Sequence, residues 1–329
     1  MSRVTVLYVA WLGIKHRSFT WFTATNPGIP MSGLVLESKH EILTALKPSG
    51  SVIPRLGLIT QSTELEVKLT QLNEHLNKLD IRFPVVLKPD IGERGLGVAI
   101  IHSNDEAGKY FEKSRSDIIV QGFVDGLEYG IFYYRFPDEE SGHIFSITDK
   151  RFTEITGDGK QSLEALILNN EGALAMAPFF TKKIAHRLFD IPPEGEAIKL
   201  AEIGTHSRGS TFLDGTHLVT PKLEAEIDRI SKAYAGFFFG RFDLKVPTVE
   251  DLKNGENIRV LELNGISSEA TSIYDPKNGL SSAYRILFQQ WRIASEIVSQ
   301  NIENGIQPAS FLQVFRQYQT YKKREKIEI

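Results

Sequence analysis

The 329-residue chain contains no cysteine. That excludes disulfides, thiolate metal sites and a cysteine nucleophile. No stretch approaches the roughly 20 apolar residues that cross a bilayer. The longest candidate, Val4 to Ile14, is short, and Lys15-His16-Arg17 follows it where a signal peptide would need small residues. A buried strand is the expectation there; a membrane-surface contact involving Trp11, Phe19, Trp21 and Phe22 is the alternative. The net charge of −3 carries no general nucleic-acid footprint. The eight histidines never fall at zinc-protease spacing, and there is no G-x-S-x-G elbow. No internal repeat and no low-complexity tract is present.

What is there begins with residues 83–101, FPVVLKPDIGERGLGVAII. A β-branched run leads to Lys88-Pro89, a turn with Gly92, Gly95 and Gly97 follows, and a second apolar run closes it. Alternation puts Val86 and Lys88 on one face and Val85 and Leu87 on the other. A lysine in a sheet is costly unless it meets an anion. The glycines let backbone N–H groups approach a phosphate. The competing reading is a hairpin whose lysine reaches solvent.

A second cluster lies downstream, at Gly240-Arg241-Phe242-Asp243 and Val260-Leu261-Glu262-Leu263-Asn264. Arg241 and Asp243 share one strand face, as do Glu262 and Asn264, while Leu261 and Leu263 are expected in the core. Such oxygens on adjacent strands are hard ligands of the kind Mg²⁺ takes when it also holds phosphates. Two strands with solvated outer faces would explain either one separately.

Together these motifs resemble the ATP-grasp superfamily, and within it the D-alanine–D-alanine ligase-like carboxylate–amine ligases. The likeness covers about Glu37 to Asp275. It rests on KP-x-x-G-x-x-G-x-G-V at 88–98, R-x-D at 241–243 and E-x-N at 262–264, in the family's order. The stretch from Asp117 to Gly126, then Glu128, is similar to the family's hinge strand. The resemblance implies an α+β fold of two lobes clasping ATP. It implies that Lys88, and Lys39 at the start of a preceding helix, hold the phosphates beneath a loop containing Gly95 and Gly97. Phe123 and Val124 would offer backbone contacts to adenine, and Glu128 would take the ribose hydroxyls. Gln121 stands where relatives often have Glu. Asp243, Glu262 and Asn264 would hold Mg²⁺, with Mn²⁺ as the alternative. Arg241 would stabilise the transferred phosphoryl group.

The implied reaction is ATP-dependent amide or peptide bond formation through an acylphosphate, releasing ADP and phosphate. Its substrates would be a small carboxylate and an amine, amino acids or peptides among them. An ATP-grasp phosphotransferase and a non-enzymatic ATP-responsive module are the alternatives. The composition fits a cytoplasmic enzyme. Arg208, in the polar loop Thr205 to Thr211, is a candidate to bind phosphate or a substrate carboxylate as a bidentate clamp. Lys150-Arg151 at a strand end is another, and each of these has a surface-charge reading beside it. Thr156-Gly157-Asp158-Gly159-Lys160 reads as a tight turn, because Glu154 stands where a P-loop needs glycine.

The expected organisation is a reduced N-terminal segment at 1–35, a small lobe at 36–125 and a large lobe at 126–329. Helices are expected at 37–47 with Ser38 as cap, after a cap at Ser62 or Thr63, and at 104–114, 162–169, 221–236 and 281–301. Strands are expected near Pro54 and at 83–88, 98–101, 118–124, 128–135 and 144–151. Residues 247–257 read as a polar loop and Lys322-Lys323-Arg324-Glu325-Lys326 as a solvated tail. Relatives usually carry a full domain before the lysine helix. Here a homodimer mate, a partner chain or the segment Asn26 to Leu36 is expected to complete the site.

Overall fold

A computed structural model describes residues 3–92, 95–174, 176–200 and 209–328; side chains are described for these except 3, 171 and 324–328. In chain order the elements are α1 (Arg3–Lys15), α2 (Lys39–Ala45), β1 (Leu56–Ile59), α3 (Leu65–Lys78), β2 (Val85–Pro89), β3 (Ala99–Ile101), α4 (Asn104–Lys113) and β4 (Ile118–Gly122). Then come β5 (Leu127–Tyr134), β6 (His143–Phe152), β7 (Glu154–Thr156), α5 (Leu163–Asn169), α6 (Glu171–Leu174), α7 (Ala177–Lys183) and β8 (Ala197–Lys199). The chain ends with β9 (Ser210–Asp214), α8 (Pro221–Lys232), β10 (Phe239–Val246), α9 (Val249–Asn254), β11 (Arg259–Asn264), α10 (Leu280–Glu303) and α11 (Phe311–Glu328).

Two antiparallel sheets dominate. The first has the order β1-β4-β2-β3 and the second β11-β10-β5-β6-β9. In the first, Val85, Leu87, Ile118 and Val120 face a core with Leu72 of α3 and Phe111 of α4. Alternation then turns Val86, Lys88 and Gln121 the other way, and Val86 pairs directly with Gln121. In the second sheet Tyr129, Ile131, Tyr133, Phe242 and Leu244 enter a core shared with α8. The opposite face carries Arg241, Asp243 and Lys245 at period two, beside Glu128 of β5. The two polar faces border one gap, which Lys88 Nζ crosses to donate to the Leu261 carbonyl.

Several sequence expectations are corrected. Val4 to Ile14 is helical, within α1, rather than a strand. It buries Thr5 and Leu12 on one side, but apolar residues on every side hide that period. Trp21, which the alternative reading put near a membrane surface, is fully buried and packs edge-on against Trp291. Residues 247–257 contain α9, because the Thr248 hydroxyl accepts from Asp251 N and Gly255 ends the helix at φ +70°. The C-terminal run lies in α11, not a tail. Ser310 and Gln313 cap α11 reciprocally, each side chain accepting from the other's backbone N–H. Neither Ser62 nor Thr63 is the cap of α3; Glu64 holds that position, and the Ser62 hydroxyl accepts from its N–H.

Residues 26–33 fasten the N-terminal segment to the second sheet. Asn26, read from sequence as a turn former, is completely buried. Its Oδ1 accepts from the N–H groups of Phe238 and Phe239, and its Nδ2 donates to the Phe239 carbonyl. The Ser32 carbonyl accepts from Ile266 N. Gly33, at φ +75°, lies so close to Gly265 that a Cβ would stand 2.9 Å from the Gly265 Cα.

Candidate active site

Pairing sets the site. Arg241 lies opposite Asn264 and Asp243 opposite Glu262 across β10 and β11. On the other side of β10, Lys245 lies opposite Glu128, which in turn faces Lys150 on β6. Asp243 is the hub. Lys150 Nζ lies 2.9 Å from its Oδ1, and Arg241 donates from Nε to Oδ1 at 3.0 Å and from Nη2 to Oδ2 at 3.1 Å. Gly130 sits opposite Asp243, and a Cβ there would press on both Arg241 and Asp243 at 3.3 Å.

Charge follows geometry. Burial opposes ionisation of Asp243, but Arg241 and Lys150 outweigh it and bring the carboxyl down to about 2. Burial also opposes the Lys150 charge, and Asp243 and Glu128 more than offset it, so its pKa is raised. For Arg241, burial is outweighed by Asp243 and the pKa is raised. Lys88 differs. Burial lowers its pKa to about 8 against the pull of Glu262, and Lys39 lowers it further. Among the described residues, one of its three donors is used, by the Leu261 carbonyl at 3.0 Å. A β-bulge between Asp243 and Leu244 in the pairing with β11 takes Leu261 out of the alternation. Leu261 is therefore half-buried instead of a core residue, and Leu263 occupies the core with Val260.

Lys39 arrives from α2. Its Nζ donates to the Gly92 carbonyl and lies 3.8 Å from Glu262 Oε1. Ser38 caps this helix as expected, accepting from Glu41 N. Asp90 fixes it to the end of β2: its Oδ1 accepts from Ser38 Oγ at 3.0 Å and from His40 N at 2.8 Å. Gly95 and Gly97 both have φ +70°, and a Cβ on Gly97 would meet the Pro89 ring at 2.7 Å. Gln121 is buried and its Nε2 has no hydrogen-bond partner among the described residues. The Val124 carbonyl accepts from Lys245 Nζ at 3.0 Å, and that ammonium lies 5.4 Å from the Phe123 ring centroid. Glu128 is buried and meets Lys150 at 3.0 Å. Arg208 lies outside the described residues.

Thus Lys39, Lys88, Arg241, Asp243, Glu262 and Asn264 come together, and Gln121 faces the same gap. Two residues were missed as members, Asp90 and Lys245; Lys150, a candidate anion binder from sequence, is instead paired with Asp243 and Glu128. The period-two series Arg241, Asp243, Lys245 was a usable signal for Lys245. Asp90 had none, because its partners lie 50 residues or more away.

Residues 46–129 match the family model described as a RimK-like ATP-grasp domain. The fold is ATP-grasp. Solved structures with likeness to it include a bifunctional glutathione synthetase from Pasteurella multocida, at 18% identity and a TM-score of 0.39, over 76% of this chain and 36% of that one. They also include the D-alanine–D-alanine ligase from Bacillus anthracis, at 16% and 0.44, over 82% and 72%. A third is the VanG D-Ala:D-Ser ligase from Enterococcus faecalis, at 13% and 0.46, over 84% and 63%. The chain therefore spans little more than a third of the glutathione synthetase's length. No curated protein matches the sequence.

An ATP-grasp cleft implies a divalent cation. Among the described residues, no group of three or more His, Cys, Asp or Glu side chains could hold a metal. Mg²⁺ needs no such cage, since one or two carboxylates plus phosphate oxygens suffice. Asp243 and Glu262 would supply the carboxylates. Asn264 turns its Nδ2 toward Asp243 at 3.4 Å, which leaves Oδ1 for a cation. The donor set fits.

Proposed function

We propose that the protein is an ATP-dependent carboxylate–amine ligase that forms an amide or peptide bond. The observation that carries this reading is Lys88, a buried lysine with a single hydrogen bond among the described residues, facing Glu262 and Asp243 across the gap. Lys88 and Lys39 hold the nucleotide phosphates, and the loop with Gly95 and Gly97 closes over them. Gln121, Phe123 and Val124 receive the adenine, the orphaned Gln121 amide supplying a polar contact. Glu128 binds the ribose from its place beside Lys150 and Lys245. Asp243, Glu262 and Asn264 hold Mg²⁺, which when bound neutralises phosphate charge.

A substrate carboxylate oxygen attacks the γ-phosphorus, the bond from phosphorus to the ADP oxygen breaks, and an acylphosphate forms. Arg241, held rigid by Asp243, steadies the transferred group and the later oxyanion. Arg208 is assigned to a phosphate or the substrate carboxylate. An amine nitrogen then attacks the acyl carbon, loses a proton and expels phosphate. Both substrates are small molecules, with amino acids and peptides first to be tried. Residues 26–36, whose Ser32 and Gly33 carbonyls accept from Ile266 and Ser267 N just after Asn264, are assigned to the substrate end of the cleft.

The test is hydroxylamine trapping. ATP, Mg²⁺ and a panel of carboxylates are incubated without amine, and hydroxamate is measured beside ADP. The right carboxylate gives hydroxamate in step with ADP, and an amine later replaces hydroxylamine. ADP formed without hydroxamate for every acceptor would favour a phosphotransferase and overturn the ligase reading.

A further inference from the structure

Far from the cleft, α1 packs against α10 through Leu12 and a Tyr8–Phe288 ring contact. Its outer face is also apolar. Val4, Leu7, Trp11 and Ile14 recur at steps of three and four and are 48, 72, 58 and 68% exposed. Phe19, equally exposed, lies against Gly13 of the helix. This stripe continues onto α11. The Thr20 hydroxyl donates to the Ala309 carbonyl, and Ala309 N donates to the Thr23 hydroxyl. A groove of about 640 Å³ lies at this junction, lined by Arg17, Phe19, Ile302, Pro308 and Phe311 among others. Phe311, Leu312, Phe315 and Tyr318 then extend the exposed surface along α11. A contiguous apolar surface of this kind marks a docking site.

Charge selects the occupant. Residues 1–36 and 304–324 contain no Asp or Glu, but they carry Arg3, Lys15, Arg17, Arg316, Lys322, Lys323 and Arg324. The whole chain is nevertheless at −3: these two segments, free of acidic residues, carry +7 and the remainder −10. A two-fold dimer through this face would set like charges against one another. An anionic bilayer surface meets both features, because aromatic side chains settle at headgroup depth and each nearby Lys or Arg is attracted to it. No described helix is long and apolar enough to cross a membrane, and α1, at 13 residues, is only about 20 Å long.

We infer that the α1–α11 face docks the protein on anionic lipid surfaces, with α1 lying in the headgroup plane. Its outer stripe inserts, and Lys15 and Arg17 contact lipid phosphates.

The full chain is tested by sedimentation with vesicles of phosphatidylcholine alone and of phosphatidylcholine with phosphatidylserine. Of three tryptophans, Trp21 and Trp291 are buried, so a blue shift in emission on adding vesicles reports Trp11. The expected result is pelleting with the serine-containing vesicles only, weakened by salt, and a blue shift that Trp11→Phe removes. The Leu7→Glu/Ile14→Glu variant should lower binding at least about tenfold, and Lys15→Glu/Arg17→Glu by about tenfold or more. Both variants change exposed positions and should keep the far-UV spectrum and melting temperature. Failure to pellet, or equal pelleting with both vesicles, overturns the inference. A dimer in solution that Leu7→Glu/Ile14→Glu dissociates, without vesicle binding, also overturns it and assigns the face to a second copy.

Discussion

Lys68 and Lys88 are both buried lysines of the region built on the first sheet, 4% and 6% exposed. Lys68 projects from α3 and donates to the carbonyls of Phe111 and Ser114, both at 3.1 Å. Those carbonyls belong to the end of α4, where a positive charge also meets the negative end of the helix dipole. Lys68 is a structural clamp with its partners supplied locally. Lys88 has one carbonyl and faces carboxylates from the other sheet. Burial alone therefore does not mark a binding lysine. What separates Lys88 is its position, looking across the gap at carboxylates of the other sheet.

The comparison is tested hardest at the carboxylate hub. Asp243→Ala strands Lys150 and Arg241 in the interior, and urea unfolding should show a loss of about 3–5 kcal/mol. The Asp243 pKa lies near 2 against an ordinary 3.8. Its contribution is thus complete above about pH 4 and is lost as pH falls through 2. A loss in the variant below about 1 kcal/mol would mean the hub is solvated like a surface pair.

Lys88→Met should lower ATP-driven turnover about 10²–10³-fold, as for removal of a single transition-state donor. Its stability should move the other way, rising by about 1–2 kcal/mol at pH 7, because a desolvated charge disappears. Between pH 8 and 10.5 the unfolded wild-type lysine holds more proton than the folded one. Wild-type stability therefore rises with pH across that window, and the gap between the two proteins closes. Paired denaturation curves at pH 7 and 10 would check the sign.

Lys68→Met should do the reverse. Two carbonyls lose a partner, costing about 1–3 kcal/mol, while turnover stays within about twofold. A large loss of activity there would erase the distinction between the two lysines. The smallest effect belongs to Ser38→Ala, which removes the cap of α2 and the bond to Asp90. About 1 kcal/mol of stability should go, and because Lys39 is displaced rather than removed, the KM for ATP should rise more than kcat falls.

Much of this arrangement could be read from residue order. The strands around the glycine loop follow from β-branched runs, and the facing pairs at Arg241 and Asp243 follow from period two. The part that failed is where alternation breaks or contacts are distant. The β-bulge that places the Leu261 carbonyl before Lys88 leaves no mark in a run of Val, Leu, Glu, Leu and Asn. Helix α1 was misread because β-branched Val and Ile, with leucine on both sides, satisfy a strand as well as a helix. In contrast, α9 and α11 carried readable caps, Thr248 with Asp251 and Ser310 with Gln313. Those were local signals overlooked beneath a polar composition.

Asn26 bears on how the molecule opens. Chain termini ordinarily fray first. Here the N-terminal segment cannot peel away beyond Asn26 without uncovering the amides of Phe238 and Phe239 at the root of β10. The same strand carries Arg241, Asp243 and Lys245. One side chain thereby places the terminal segment and β10 in a single cooperative opening unit. Amide protons on either side of that junction should exchange with solvent together, and late.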